Sequence, residues 1–288
     1  MSNVLYAPMS QTRAKIADRR VLVFSARGLV SRYRHLMLDI RKILPHHKKD
    51  AKFDMRNNFH EIIEICEMKS CKSCLFFECR KKQDLFMWAS RTPNGPGVKF
   101  HISNVHTMAE LKFTGNCLLG SRPILVFDKL FDEIPHWKIC KELLTQIFAP
   151  PADHPKTKPF VDHVITFFVV DGKLWFRHYQ IVTHNEAQAA KAARALESGN
   201  ETQFEYSKSS LVEIGPRFVL DVVRVFDNSF GGKTLFQNPR FVSPNAIRHA
   251  SHKRKSKKYK SRIDNREKRR KHVSQNQVPK DELSGLYA

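Results

Sequence analysis

The sequence is poor in the features that mark several protein classes. It holds only 11 Gly and 14 Pro among 288 residues, which excludes a collagen-like or low-complexity chain. No run approaches the roughly 18–20 uninterrupted apolar residues that a membrane-spanning helix needs. The first 20 residues also lack the apolar stretch of a secretory signal. We therefore expect an intracellular protein without a membrane anchor.

Acidic residues are scarce relative to basic ones. The chain has 28 Asp and Glu against 50 Lys and Arg, a formal net charge of +22. Hydrophobic residues make up 41% of the chain, enough for a buried core, so a wholly disordered protein is excluded. The excess of positive charge favours a polyanionic partner, either nucleic acid or an anionic membrane surface. We expect no membrane partner, because the most basic segment lacks the apolar face of an interfacial helix.

Half of this charge lies in one short segment. Residues 248–271 hold 13 Lys and Arg against 2 acidic residues. The pattern predicts a mostly disordered tail over 248–288, or one that becomes helical on binding, which neutralises RNA phosphates or directs nuclear import. A tail that is merely solvated is the alternative. The candidate RNA-binding residues at its centre are Lys253, Arg254, Lys255, Lys257, Lys258 and Lys260.

A second basic region belongs to folded structure. The first 50 residues hold 11 basic and 3 acidic residues, and they include a predicted strand, Arg20–Ser25, followed by a helix that is capped by Ser31 and stopped by Pro45. Five basic side chains lie outside the apolar stripe of that unit and are expected to face solvent or a partner: Arg27, Arg32, Arg34, Arg41 and Lys42. Arg27 lies in the turn before the helix N-terminus, where anions are favoured, so we predict a phosphate contact there. Ordinary solvated charges are the alternative for each residue singly.

The chain contains an internal repeat. The strand and helix of residues 22–45 are matched 103 residues later by residues 125–150, and each helix ends at a proline. Gly95-Pro96 and Gly215-Pro216, 120 residues apart, each open an apolar strand and each follow two strand candidates. Asp171-Gly172 predicts a tight hairpin turn in the second half. The order of these elements predicts an α/β fold built from two similar halves.

The repeat and the charge distribution give a domain organisation. We predict one domain over residues 19–227, with halves at about 19–120 and 121–227. A polar, alanine-rich insertion, residues 183–210 with a helix over Glu186–Leu196, accounts for the longer second half. The flanking segments are an N-terminal arm, residues 1–18, an extended segment, residues 228–247, and the basic tail, residues 248–288.

The sequence contains partial motifs for metal binding and catalysis, but none of them is complete. Four cysteines follow a C-x4-C-x2-C-x4-C pattern: Cys66, Cys71, Cys74 and Cys79. A predicted strand points the last two to opposite faces, so we expect buried reduced thiols and no metal. Gly231–Thr234 ends like a phosphate-binding loop but lacks the first glycine, since Asp227 stands in its place. We therefore expect no cofactor and no enzyme activity.

Four motifs in this order resemble the Brix-domain family of ribosome-assembly factors: Arg20–Arg27, Arg91–Gly97, Trp175–Tyr179 and Glu213–Phe218. The resemblance covers about residues 19–227, and residues 226–245 resemble one subgroup of the family. It implies two α/β halves related to the anticodon-binding fold of class II tRNA synthetases. It also implies a nucleolar protein that binds precursor ribosomal RNA within particles of the assembling large (60S) subunit, as a heterodimer with an EBNA-binding-type protein.

Two hypotheses follow. The preferred one is a non-catalytic RNA-binding assembly factor whose domain holds phosphates through Arg27, Arg32, Arg34 and, beside the second Gly-Pro, Arg217. The alternative is a protein-interaction scaffold that leaves RNA to the tail. Its predicted anchors are exposed aromatic residues that follow the domain: Phe230, Phe236 and Phe241.

Overall fold

The computed structural model describes residues 20–54, 59–111, 114–151, 154–183 and 209–277. The strands are β1 (Val21–Ser25), β2 (His47–Lys49), β3 (Ser73–Arg80), β4 (Asp84–Arg91), β5 (Gly97–His106), β6 (Pro123–Phe127), β7 (His163–Val170), β8 (Lys173–Thr183), β9 (Ser209–Glu213), β10 (Arg217–Phe226) and β11 (Thr234–Gln237). The helices are α1 (Ser31–Ile43), α2 (His60–Met68), α3 (Met108–Leu111), α4 (Leu130–Glu133), α5 (Pro135–Phe148) and α6 (Pro244–Gln275). The predicted N-terminal arm and the predicted helix Glu186–Leu196 lie outside the described residues.

All eleven strands form one mixed sheet, so the predicted α/β class is confirmed. The main order is β2-β1-β3-β4-β5-β10-β8-β7-β6, with β9 beside β8 and β11 beside β10. The strands of each sequence half therefore stay together on one side of the sheet. Each half also pairs its first strand in parallel with a later one, β1 with β3 and β6 with β7, and continues in antiparallel pairs.

The two halves meet where equivalent strands pair with each other. β5 and β10 are both ten residues long, start 120 positions apart, and run antiparallel, with Gly97 opposite Phe226 and His106 opposite Arg217. Two copies of one strand that pair antiparallel give an approximate two-fold relation between the halves. The hairpin predicted at Asp171-Gly172 is also present, and both residues have positive φ, 54° and 71°, as a type I′ turn requires.

Helices cover the sheet unequally. α1 and α5 pack on one face and share a hydrophobic core with inward residues of both halves. Along α1 the buried side chains recur three and four residues apart, Leu36, Ile40 and Ile43 among them, which is the spacing that predicted this helix. The other face of the first half is covered by α2 over a second, aromatic-rich core around Phe24 and Phe76.

The segment after β10 belongs to the domain. Phe230 is buried: its ring stacks on Phe59 at 6.0 Å between centroids and packs against Trp88 at the same distance. The Ser229 hydroxyl is within hydrogen-bond distance of the Arg91 and Pro93 carbonyl oxygens. The prediction of Phe230 as an exposed anchor is therefore wrong, because the chain folds back and seals the aromatic core with this ring. β11 then pairs with β10, and the compact unit extends to Pro239, beyond the predicted boundary at residue 227.

The second compact unit begins at Arg240 and is dominated by the 32-residue helix α6, about 48 Å long at 1.5 Å per residue. Residues 248–275, predicted as mostly disordered or as helical on binding, are helical in the structure. Ser243 caps the helix through its side chain, Pro244 occupies the first turn, and the following residues are rich in Lys and Arg, which have good helix propensity. Within the described ranges, no helix is long and apolar enough to cross a membrane.

Candidate nucleic-acid interface

Strand directions bring most of the predicted RNA-binding residues of the domain to one edge of the sheet. β1, β3 and β5 end there, while β4, β7 and β10 begin there. We call this side the Arg27 edge. It includes the turn after β1, the N-terminus of α1, the β3–β4 turn and the start of β10. Arg217 therefore shares one side of the domain with Arg27, Arg32 and Arg34, although more than 180 residues separate it from them.

Arg27 lies in the turn between β1 and α1. Its backbone N–H donates to the Phe53 carbonyl at 2.9 Å, while its side chain is 71% exposed and 3.6 Å from the Asp54 carboxylate. Ser31 is not the N-cap as predicted: Val30 holds that position, and no side-chain hydrogen bond caps the helix among the described residues. The first turn of α1 also holds no acidic residue. Its amide groups and the exposed Arg27 guanidinium suit an anion.

Arg32 and Arg34 differ in availability. The Arg32 guanidinium donates to the Val105 carbonyl and lies 3.3 Å from Glu110, so it connects the start of α1 to the end of β5. Arg34 is exposed on the same helix. Tyr33 lies between them, and its hydroxyl donates to the Gln83 carbonyl in the β3–β4 turn at 2.6 Å. These contacts fix the start of α1 next to that turn, and Arg34 is the more available of the two arginines for an anion.

Two lysines in the β3–β4 turn extend the basic surface, and the sequence reasoning missed them. Lys81 and Lys82 are both exposed and have positive φ, 51° and 56°. The Gln83 N–H donates to the Arg80 carbonyl at 3.1 Å and closes the turn. Left-handed backbone costs an L-residue about 1 kcal/mol or more, and such turns usually carry Asn or Gly. The internal repeat could have predicted this turn, since the equivalent turn in the second half is Asp171-Gly172.

Arg217 is engaged within the protein. Its Nε and Nη2 atoms each donate to one carboxylate oxygen of Glu213, both at 2.6 Å. This hydrogen-bonded pairing raises the pKa of the arginine above its ordinary value. A phosphate would have to compete with this two-pronged ion pair, so the geometry favours a structural role for Arg217 beside the Gly215-Pro216 step.

Arg41 was expected to face solvent, and the structure corrects this. It is half-buried, and its Nε and Nη2 atoms donate to the Val23 carbonyl at 3.2 and 2.6 Å. Burial lowers the pKa of this guanidinium from its ordinary value. The long side chain lies along the core and satisfies a backbone group of β1, so Arg41 belongs to the scaffold.

The basic residues of α6 surround the helix. No residue of α6 is buried among those described, and successive residues turn by about 100°, so Lys253, Arg254 and Lys255 alone point in three well-separated directions. Five basic residues also follow one another at intervals of four and form a ridge: Arg254, Lys258, Arg262, Arg266 and Arg270. Like charges four apart destabilise a helix by about 0.2–0.5 kcal/mol per pair, so the four steps cost about 1–2 kcal/mol without an anion.

Exposed apolar residues occupy a different part of the domain. Phe236 is half-buried, with its ring stacked on His136 at 3.9 Å, and Phe241 is also half-buried. Neither ring is fully available as the predicted anchor. The edge strand β6 and its neighbour β7 instead expose four large apolar side chains on one face: Ile124, Val126, Phe168 and Val170.

The four cysteines do not all meet at one point. Cys66, Cys71 and Cys74 pack in the aromatic-rich core, whereas Cys79 packs against the core on the opposite face of the sheet, so Cys74 and Cys79 point to opposite faces as the strand pattern predicted. Burial raises the pKa of the Cys71 thiol to about 11 and that of Cys140 to about 12, so both are neutral at physiological pH. A separate group of ligand-type side chains, Cys117 with two histidines, escaped the sequence analysis because its members are 46 and 15 residues apart.

Comparison with known proteins gives the family. A family model described as the Brix domain matches residues 26–224, about two thirds of the chain. The chain belongs to the Brix-domain family. The four motifs that suggested this family in the sequence lie wholly or partly within the matched range.

Relatives cover nearly the whole chain. It is 46% identical over 270 residues to the ribosome biogenesis protein BRX1 homolog of Homo sapiens, which spans 93% of this chain and 70% of that protein. The BRX1 homolog 1 of Arabidopsis thaliana is also 46% identical over 270 residues, 93% of this chain and 82% of that protein. Both names denote ribosome biogenesis proteins and not enzymes. A solved structure, a probable ribosomal biogenesis protein from Aeropyrum pernix, matches 70% of this chain and 95% of that chain, at 13% identity and a TM-score of 0.42.

Proposed function

We propose that this Brix-domain protein is a non-catalytic ribosome biogenesis factor. It binds precursor ribosomal RNA in the nucleolus, within particles of the assembling large (60S) subunit. The names of its relatives support the process. The resemblance to the family also implies a relation to the anticodon-binding fold of class II tRNA synthetases, a relation that would suit RNA binding.

The observation that carries this proposal is the distribution of charge on α6. Residues 248–271 place 13 basic side chains on all sides of an exposed helix, against 2 acidic ones. A flat surface could contact only one side of such a helix, whereas folded RNA can present phosphates on several sides of it. Bound phosphates would also neutralise the repulsion along the ridge. The Arg27 edge adds a second basic surface with Arg27, Arg34, Lys81 and Lys82.

Salt dependence of binding tests the proposal. The ridge variant replaces Arg254, Lys258, Arg262, Arg266 and Arg270 by Gln, which preserves helix propensity. Loss of five phosphate contacts lowers the slope of log K against log salt by about 3.5, at roughly 0.7 per contact with single-stranded RNA. Fluorescence anisotropy with a precursor ribosomal RNA fragment, at several salt concentrations, measures this slope.

The matched control carries the same number of Gln substitutions at uncharged or weakly basic positions of the helix: Ser251, His252, Ser256, Ser261 and Asn265. It should retain the slope of the unmodified protein. An unchanged slope in the ridge variant would remove α6 from the RNA interface. Affinity that does not change with salt in the unmodified protein would refute phosphate-dominated binding altogether.

A second candidate function is partner docking, and the apolar face of β6 and β7 favours it. Ile124, Val126, Phe168 and Val170 are each between 38% and 47% exposed on neighbouring strands. A heterodimer with an EBNA-binding-type nucleolar protein is the proposed use of this face. Val126→Asp should abolish co-purification of that protein while RNA affinity stays unchanged, with Leu235→Asp, an exposed position on β11, as control. Retained co-purification in Val126→Asp would reject this face as the interface.

A further inference from the structure

Cys117, His163 and His178 form a cluster that neither the family nor the proposed function explains. The Cys117 sulfur and one nitrogen of each histidine lie within 4.8 Å of one another. Both histidines are buried, 2% and 0% exposed, and Cys117 is half-buried. The two rings stand at 78° to each other with centroids 5.0 Å apart. The cluster joins the segment that links the two halves to strands β7 and β8.

The pairing of β7 and β8 places the two histidines together. His163 is opposite Gln180 and His178 is opposite Ile165. His163 and His178 are therefore diagonal neighbours on the same face of an antiparallel pair, close enough for their rings to meet. This face also carries Ile165 and Phe176, which belong to the main core, so both imidazoles are held against apolar surroundings.

Hydrogen bonds at the Nδ1 atoms decide which nitrogens carry protons. His178 Nδ1 is 2.7 Å from the Gly215 carbonyl oxygen, which can only accept, so Nδ1 carries the proton. His163 Nδ1 is 2.6 Å from the Asp162 carboxylate and 3.1 Å from the Ser121 hydroxyl, whose own proton goes to the Leu118 carbonyl at 2.7 Å. In the neutral form each ring therefore has its lone pair on Nε2.

These two Nε2 atoms are buried and have no hydrogen-bond partner among the described residues. The lone pair of each Nε2 atom therefore lacks a donor, and an unsatisfied buried polar atom costs about 1–3 kcal/mol. One thiol proton from Cys117 could serve only one of them. A cation satisfies both nitrogens and the sulfur together.

Cys117 is held in place by the segment around it. The Leu118 N–H donates to the second Asp162 oxygen at 2.6 Å, and the Asn116 N–H donates to the Gln180 side chain at 2.7 Å. Gly115 lies so close to β9 that a Cβ there would be 2.7 Å from the Glu213 carbonyl oxygen. Asp162 thus orients both His163 and the residue after Cys117, as carboxylates behind metal-binding histidines commonly do.

We propose that Cys117 Sγ, His163 Nε2 and His178 Nε2 bind a Zn²⁺ ion and that water completes a tetrahedral site. Two imidazoles and a thiolate are the ligands that zinc prefers, at about 2.0–2.1 Å and 2.3 Å. The thiol of Cys117, whose pKa burial raises to about 11, loses its proton to solvent as the zinc–sulfur bond forms. Bound zinc ties the link between the halves to the sheet of the second half.

Metal content of the purified full-length protein tests the proposal. We expect roughly one Zn²⁺ per chain after exposure to zinc and desalting, measured by inductively coupled plasma mass spectrometry. Cys117→Ser and His178→Gln should each lower this ratio about tenfold or more, and Asp162→Asn should weaken zinc affinity about 10–100-fold. The controls are Cys79→Ser, another half-buried cysteine, and His101→Gln, a half-buried histidine on β5; both should retain the metal.

Cobalt binding is measured on the unmodified chain, so its main result does not depend on the stability of a variant. Co²⁺ added to the unmodified chain should produce the intense visible bands of tetrahedral cobalt and a thiolate-to-cobalt charge-transfer band that is absent from Cys117→Ser. A chain that binds neither zinc nor cobalt refutes the proposal, and a water between the Nε2 atoms then replaces the metal. Zinc that persists in both Cys117→Ser and His178→Gln also refutes it, because the ion is then bound elsewhere.

Discussion

The two lysines of the β3–β4 turn give a prediction in which stability and RNA affinity change in opposite directions. Lys81→Asn with Lys82→Gly creates the Asn-Gly sequence that a type I′ turn prefers. At φ values of 51° and 56°, each lysine costs the folded state about 1 kcal/mol. Part of this gain is lost at position 82, because glycine has a more flexible unfolded chain, which lowers the free energy of unfolding by about 0.5–1 kcal/mol. The double variant should therefore be more stable by roughly 1 kcal/mol, a rise in Tm of about 2–4 °C for a domain of this size.

RNA binding should weaken in the same variant. It loses two exposed positive charges at the Arg27 edge, so the salt slope should fall by about 1.4. Differential scanning fluorimetry and anisotropy titrations measure the two quantities. Lys81→Gln with Lys82→Gln is the control, since it removes the charges and leaves both residues in left-handed backbone. A stabilised Asn-Gly variant with unchanged RNA affinity would show that the lysines are not retained for RNA, and a destabilised one would refute the argument from backbone strain.

Three further predictions concern residues whose roles the structure reassigns. Phe230→Ala should destabilise the domain by about 3 kcal/mol in urea denaturation, and Phe236→Ala, which removes a half-buried ring, by about 1 kcal/mol; equal effects would contradict the burial of Phe230. Arg217→Ala should cost about 1 kcal/mol of stability through the lost Glu213 pair and leave the salt slope of RNA binding unchanged, so a reduced slope would restore Arg217 as a phosphate ligand. Lys257→Pro should reduce far-ultraviolet helix content and weaken RNA binding more than Lys257→Gln, which removes the same charge; equal affinities would mean that charge alone matters and that helical presentation does not.

Local sequence patterns predicted the framework of the fold well, because the main helices bury a periodic stripe of apolar residues and the central strands are continuous apolar runs. The stripe of α1, the apolar runs of β3 and β7 and the Asp171-Gly172 turn all depend on residues within a few positions of one another. Repetition of these patterns then predicted the two halves, and the pairing of β5 with β10 follows from that duplication.

The errors of prediction arose where distant residues decide the outcome. Phe230 lies between polar residues and two glycines and resembles an exposed linker residue, yet Phe59 and Trp88, more than 140 positions earlier, bury it. Cys117, His163 and His178 form no sequence motif together and meet because β7 and β8 pair in one particular register and the segment around Cys117 is hydrogen-bonded to β8 and to the residue before β7. The prediction for α6 favoured disorder for a different reason. Charge repulsion was given more weight than the helix propensity of Lys and Arg and the cap at Ser243.

Duplication gives the domain two equivalent edges, and the sequences of these edges have diverged in charge. The turn after β1 carries Arg27, whereas the turn after β6 carries Asp128 and leads into α4 with Asp132 and Glu133. The β3–β4 turn carries Lys81-Lys82, and its counterpart carries Asp171-Gly172. The approximate two-fold relation places these counterparts at opposite edges of the sheet, because β1 and β6 run in opposite directions. The turns of the first edge carry Arg27, Lys81 and Lys82, whereas those of the second carry Asp128, Lys129 and Asp171, with Asp132 and Glu133 close by, so the first attracts a polyanion more strongly. In the proposed function RNA would therefore bind at the Arg27 edge, and the exposed face of β6 and β7 remains available to a protein partner.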